Sequence, residues 1–199
     1  MRHLLPYLFS FLLLVSFDCN ARQKVIRVKT PPRPAGQSDV LKLRCEPIST
    51  VRVGFIGIGS RGLAAVHRFL SIPGVEIKAL CDLESENLDK ARALLVHAKF
   101  PAAQEYSSKN GYKEICERQD IDLIYICTDW LNHTPIAVYA MEHGKHTAIE
   151  VPAAVTLEQC WELVNTAEKT RRHCMMLENC CYDRFEMATL NMAQKGLFG

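Results

Sequence analysis

A chain of 199 residues, 48% apolar and 23% charged, has the makeup of a globular protein with room for one domain and a tail. Its 24 basic and 22 acidic residues leave a net charge of +2 with no long cationic block, which excludes an electrostatic binder of nucleic acid or acidic membrane. Nine cysteines with no Cys-x-x-Cys spacing, and no His/Cys pair at zinc-finger spacing, speak against a metal site and read instead as small buried hydrophobes in reduced form.

Arg2 and His3 precede an almost continuous apolar run from Leu4 to Phe17, closed by Asp18. Fourteen residues fall short of the roughly 20 needed to span a bilayer. The run therefore predicts a secretory signal over residues 1–20, a periplasmic or cell-envelope destination and no stable membrane span. A core or interfacial helix is the competing reading, and Cys19 offers a lipid anchor only with poor residues before it. Residues 21–47 read as an extended linker, since Pro31, Pro32 and Pro34 suit neither a helix nor a central strand.

From residue 48 to residue 199 the pattern alternates. "VRVGFIG" predicts a strand, and Ser60 to Ser71 a helix with Leu63, Val66 and Leu70 on one face. "VEIKALCD" predicts a second strand, and Glu84 to Ala98 a second helix striped by Leu88, Ala91, Leu95 and Ala98. A weak strand near "AQEYSS" leads to a short helix from Tyr112 to Arg118. "DLIYICT" is a buried strand, Thr134 to His143 a helix, "KHTAIE" a strand, and Thr156 to Thr170 a helix with a Thr156/Gln159 capping box. Leu157, Trp161, Val164 and Glu168 share that last helix's face, so its buried stripe is expected to end near Ala167. "HCMMLEN" and Phe185 to Lys195 complete the series as strand and helix. Strand–helix alternation implies right-handed crossovers and a doubly wound parallel sheet, an α/β dinucleotide-binding architecture.

Gly57, Gly59 and Gly62 form a complete G-x-G-x-x-G between the first strand and the first helix. In that setting the glycines allow a tight turn, close approach to a pyrophosphate and helix–strand packing, while the helix N-terminus offers free N–H groups. Asp82 ends the second strand 20 residues after Gly62, where a carboxylate accepts the adenosine-ribose hydroxyls and repels a 2′-phosphate. NAD is thus the expected cofactor. Arg61 reads equally as a phosphate contact or a solvated surface cation.

Ligands of parallel sheets bind beyond the carboxyl ends of the strands, and three more such ends carry polar groups. Trp130, Asn132 and His133 follow the fourth strand as candidates for a ribose or nicotinamide pocket, or as packing and helix-capping residues. Glu150 ends the fifth strand before Val151 and Pro152, and Asn179 and Tyr182 follow the sixth.

Together "GFIGIGSRG", "ALCD", "DLIYICTDWLNH", "GKHTAIEVPAAVTLEQCWEL" and "MMLENCCYDR" resemble the glucose–fructose oxidoreductase/inositol dehydrogenase/rhizopine catabolism superfamily, and within it glycoside hydrolase family 109, NAD-dependent α-N-acetylgalactosaminidases. The resemblance covers about residues 45 to 199. It implies cofactor contacts at Ser60, Arg61, Asp82, Trp130, Leu131, Asn132, His133, Glu150, Val151 and Asn179, and a place for Tyr182 near the substrate. Most dehydrogenases of the superfamily carry Glu-Lys-Pro where this chain has Glu150-Val151-Pro152, and valine cannot take a proton. The glycosidase family shares the Glu-Val-Pro form.

The reaction implied by the resemblance removes hydride from sugar C3 to NAD, eliminates the C1 substituent after loss of the C2 proton, adds water and returns the hydride. Its substrate class is a glycan ending in α-linked N-acetylgalactosamine. The resemblance also implies a second α/β substrate domain, expected to be missing from these 199 residues, so the chain alone is expected to be inactive. A sugar or polyol dehydrogenase, a non-catalytic nucleotide-binding module and a homo-oligomer of the full-length form remain open alternatives.

Overall fold

The computed structural model describes residues 31–198. The predicted signal and residues 21–30 of the linker lie outside the described residues. Residues 33–198 fall within one compact unit. No helix among the described residues is long and apolar enough to cross a membrane.

Six strands form one all-parallel sheet: β1 (Val51–Ile56), β2 (Val75–Cys81), β3 (Gln104–Tyr106), β4 (Leu123–Ile126), β5 (His146–Glu150) and β6 (Cys174–Leu177). Their order is β3-β2-β1-β4-β5-β6. The chain winds outward in one direction from β1 and in the other from β4, so a crevice opens between the carboxyl ends of these two strands. The helices are α1 (Ser60–Phe69), α2 (Ser85–His97), α3 (Gly111–Glu117), α4 (Trp130–Glu142), α5 (Leu157–Thr170) and α6 (Arg184–Gln194).

Alternation along the strands divides the core between the two faces of the sheet. Ile56, Cys81, Ile124, Ile126 and Ile149 face Ile115, Ile136, Met141 and Leu163 from α3, α4 and α5. Val53, Phe55, Ile77, Leu80 and Tyr125 face Val66, Leu88, Ala91 and Leu95 from α1 and α2. The short, nearly all-apolar strands are what a sheet covered on both faces requires.

Three sequence expectations are corrected. Helix α4 begins at Trp130, four residues before the expected Thr134, with Asp129 accepting from the Leu131 N–H at its N-cap. Pro135 therefore lies inside the helix, where it removes a backbone donor. Tertiary anchors outweigh that loss: His133 and Thr134 are buried and bond to the carbonyls of Pro152 and Ala153.

Helix α5 is turned relative to its expected stripe. Leu163, Thr166, Ala167 and Glu168 are buried, whereas Leu157 and Val164 are exposed. The reason lies outside the helix. Arg33 bonds the Glu168 carboxylate twice, at 2.8 and 2.7 Å, and Gln37 bonds it at 2.8 Å. Arg171, in a left-handed conformation, holds the carbonyls of Ser38 and Asp39. The end of the Pro-rich segment thus straps onto α5 and covers a charged residue that periodicity alone places only approximately.

The cysteines are the third correction. Cys81 and Cys116 are buried, with burial pushing each thiol up to about 12, but Cys45, Cys160, Cys180 and Cys181 are exposed. Apolar neighbours in sequence do not bury a residue that sits in a loop or on an outer helix face. The exposed group includes the two that precede α6, a helix that buries none of its residues and leaves Phe185 and Leu190 in solvent.

The strap yields a first testable expectation. Hydrogen bonds from Arg33, then Gln37, hold the Glu168 carboxyl below its ordinary range. A carboxyl lowered in the folded state adds stability above its unfolded pKa of about 4.3, and that stability is lost as pH falls through the folded value. Thermal melts of Arg33→Ala should show a lower melting temperature than wild type at pH 7, with the difference shrinking below about pH 4. An equal difference at every pH would mean that the strap acts through packing alone.

At the amino ends of β5 and β6, His146 Nδ1 accepts the His173 backbone N–H at 3.0 Å. Burial, then the neighbouring His173 and Arg172, pushes the His146 pKa down. A histidine lowered in the folded state costs stability as pH falls below its unfolded pKa of about 6.5, because the unfolded chain binds the proton first. The urea midpoint should therefore fall between pH 7 and pH 5, and His146→Asn should flatten that slope. An unchanged slope in the variant would assign the acid sensitivity elsewhere.

Candidate dinucleotide site

The glycine loop sits at the crevice, between β1 and α1. Gly57 has φ +85°, and a Cβ there would meet the Cys127 carbonyl carbon and oxygen at 2.6 Å. A Cβ on Gly62 would lie 2.0 Å from the Gly57 oxygen. These two glycines are required by the protein's own packing. Gly59 differs: it caps α1, and a Cβ there would meet no protein atom within 4 Å. Gly59 also lines the cavity, so its missing side chain leaves room for a ligand to approach the backbone closely.

The crevice is a cavity of about 600 Å³, lined by Gly57, Gly59, Asp82, Leu83, Ser108 and Asn132 among others. Such a volume is ordinary for a cofactor site. Asp82 stands at its edge with its carboxylate already oriented: Oδ2 accepts the Ile58 N–H at 2.5 Å, and Oδ1 accepts from the Glu84 N–H and Asn87 at 2.9 and 3.2 Å. The loop and the strand end are therefore coupled through this one side chain.

The start of α4 forms the far wall. Asn132 lines the cavity and donates to Asp129 Oδ2 at 2.6 Å. That bond, followed by the Leu131 and Asn132 N–H groups, outweighs burial and holds the Asp129 carboxyl below its usual range. Trp130 and Leu131 are exposed. His133 turns inward and is 1% exposed, with Nδ1 2.8 Å from the Pro152 oxygen and Nε2 3.0 Å from the Thr128 oxygen. It joins the turn after β4 to the turn after β5.

A second group of expected residues meets across the sheet. Arg61 Nε pairs with Glu150 Oε1 at 2.9 Å, and its guanidinium also reaches Asn179 Oδ1. Tyr125 donates to the same Glu150 oxygen at 3.0 Å. Burial, then Cys127 and the Glu150 bond, holds the Tyr125 phenol well above its ordinary range, so it remains a donor. Ser60 begins α1 beside this group and Val151 follows it, partly exposed. Tyr182 stands apart, 77% exposed in the loop before α6.

Sequence reading did not single out Tyr125 or Asp129. Asp129 carried a signal, an acid one residue before the helix, but the helix was expected to start only at Thr134. Tyr125 carried only the oddity of a phenol within an apolar strand. Among the described residues, Cys180, Asp183 and Glu186 place one ligand atom each within 4.8 Å of one another, but all are exposed and nothing marks them as holding an ion.

A parallel 3-2-1-4-5-6 sheet, a glycine loop with one unobstructed glycine lining the cavity and an oriented carboxylate at the second strand end define a Rossmann dinucleotide-binding protein. The chain belongs to the oxidoreductase family with an NAD-binding Rossmann fold, whose model matches residues 51–178, and NAD is its cofactor. It is 59% identical over 172 residues to an alpha-N-acetylgalactosaminidase of Bacteroides fragilis, covering 86% of this chain and 40% of that protein. It is 59% identical over 175 residues to a glycosyl hydrolase family 109 protein of Phocaeicola vulgatus, covering 87% of this chain and 37% of that one. The chain thus spans about 40% of the length of such relatives.

Among solved structures it is similar to scyllo-inositol dehydrogenase from Lactobacillus casei with bound NAD(H) and scyllo-inositol (TM-score 0.66, 18% identity, 75% of this chain and 42% of that one). It is likewise similar to the WlbA dehydrogenase from Bordetella pertussis in complex with NADH and UDP-GlcNAcA (TM-score 0.66, 18% identity, 75% and 43%). At these identities the likeness is one of fold.

Proposed function

We propose that this chain is the NAD-binding portion of an exported glycosidase acting on terminal α-linked N-acetylgalactosamine. The observation that carries the reading is the 59% identity over 172 residues to an alpha-N-acetylgalactosaminidase. Val151 supports it, because the residue after Glu150 cannot move a proton as the lysine of related dehydrogenases would.

Bound NAD would supply a hydride acceptor and, later in the same turnover, a hydride donor. The chain's own residues bind and orient. Asp82 takes the adenosine-ribose hydroxyls, and Gly57, Gly59, Gly62 and the first N–H groups of α1, from Ser60, take the pyrophosphate. Trp130, Leu131, Asn132 and His133 shape the wall at the start of α4. Glu150, Val151 and Asn179 border the nicotinamide half, with Arg61 pairing Glu150 rather than standing free. Tyr182 is assigned to the substrate side by the family resemblance alone. The remaining acid and base groups belong to the portion of such relatives that this chain does not span.

Native mass spectrometry of the protein from its own source, followed by an aryl α-N-acetylgalactosaminide assay, tests the reading. A species heavier than 22.5 kDa that carries NAD, lacks the first 18 or so residues and releases the aryl group without accumulating NADH is expected. Net NADH accumulation with a free sugar would make it a dehydrogenase instead. The 199-residue chain alone should bind NAD weakly and release nothing.

A further inference from the structure

Tyr125 lies in the centre of the sheet, on β4, and is 4% exposed. Its ring stacks on Phe55 with centroids 5.1 Å apart and meets Phe69 edge-on at 5.3 Å. A phenylalanine would make the same aromatic contacts. What the tyrosine adds is one hydroxyl, and that hydroxyl goes to Glu150 Oε1 at 3.0 Å.

Glu150 is itself 6% exposed, at the end of β5. Its Oε1 receives both the Tyr125 hydroxyl and Arg61 Nε. Oε2 has no protein partner among the described residues, yet it is not among the buried side-chain atoms left without one. The carboxylate is therefore clamped through one oxygen and keeps the other free of protein partners, at the carboxyl end of β5, two strands from the crevice-forming β1. A buried carboxylate held in this way is prearranged to accept hydrogen bonds from a ligand's hydroxyl groups.

We propose that Tyr125 is a positioning residue of the dinucleotide site: together with Arg61 it fixes Glu150 Oε1, so that Oε2 is presented to the vicinal diol of the ribose farther from Asp82. The role rests on the chain's NAD-binding fold and not on the sugar chemistry proposed above. Two carboxylates then serve the two riboses. Asp82 is oriented by backbone N–H groups and Asn87, and Glu150 by a buried phenol and a guanidinium.

The test compares NAD with AMP, which contains only the Asp82-side ribose, by isothermal titration of this chain. Tyr125→Phe keeps the ring packing and removes only the hydroxyl. It should weaken NAD binding about 10-fold, as loss of one hydrogen bond to a charged group does, and leave AMP binding essentially unchanged. In a Glu150→Gln background the same substitution should have no further effect on NAD, because its partner is already altered.

Equal weakening of AMP and NAD, or additive effects in the double variant, would show a merely structural tyrosine and overturn the proposal. So would unchanged NAD binding in Tyr125→Phe. Binding of AMP but not NAD by the wild-type chain would overturn it as well, since Glu150 would then have no ribose to meet. Glycosidase activity enters none of these readouts, so failure of that reading leaves the result intact.

Discussion

Gly59→Ala should abolish detectable NAD binding while leaving the fold intact, and Gly62→Ala should destroy both. The two substitutions add the same methyl group three residues apart. At Gly62 it would sit 2.0 Å from the Gly57 oxygen, a backbone atom that moves only if the loop moves. Overpacking of that kind costs on the order of 3 kcal/mol or more, so the melting temperature should drop sharply. At Gly59 no protein atom lies within 4 Å, and exchanging glycine for alanine at a helix N-cap costs about 1 kcal/mol or less. The methyl group instead enters the space through which a pyrophosphate approaches α1, and affinity should fall about 100-fold, or about 2.7 kcal/mol. Thermal melts beside NAD titrations separate the cases. A Gly59→Ala protein that binds NAD normally would remove the glycine loop from the cofactor site.

Asp82→Ala should weaken NAD binding by about 10- to 100-fold and narrow the discrimination against NADP. The carboxylate accepts from Ile58, Glu84 and Asn87, so its loss also releases the loop that carries Gly57 and Gly59. Leaving those donors without their partner should cost about 1–3 kcal/mol. Asp82→Asn is the informative companion. It retains the shape, removes the charge that repels a 2′-phosphate, and should narrow NADP discrimination with a smaller loss of stability. Parallel titrations with NAD and NADP measure this. Undiminished rejection of NADP in both variants would place the discrimination on another residue, with the cavity-lining Ser108 and Lys109 next in line.

The two substitutions also mark different kinds of knowledge. Gly57, Gly59, Gly62 and Asp82 were legible as candidates because their geometry is local. A tight turn, a helix N-terminus and a strand end lie within about 30 residues, and the glycine spacing encodes their geometry directly. The strands and most helices were legible for the same reason, since burial on both faces demands apolar runs and amphipathic stripes wherever the chain folds.

The start of α4 was not legible. A proline inside a helix is a local defect, and only the distant carbonyls of Pro152 and Ala153, holding His133 and Thr134, make it tolerable. The rotation of α5 was hidden in the same way, because a strap from Arg33 and Gln37 changes which side of the helix is covered. Tyr125 is the clearest case. Its neighbours in sequence are apolar, and its partner is 25 residues away on another strand.

The sequence by itself determined the order of strands and helices, the glycine cradle, the acid at the second strand end and the likeness to a family. Each depends on residues close together along the chain. Tertiary structure alone decided that Arg61 meets Glu150, that Tyr125 holds the same oxygen and that Glu168 is covered by the N-terminal strap. A hydrogen bond depends on distances of about 3 Å between atoms, and no pattern in one strand or helix records what the next one brings to that distance.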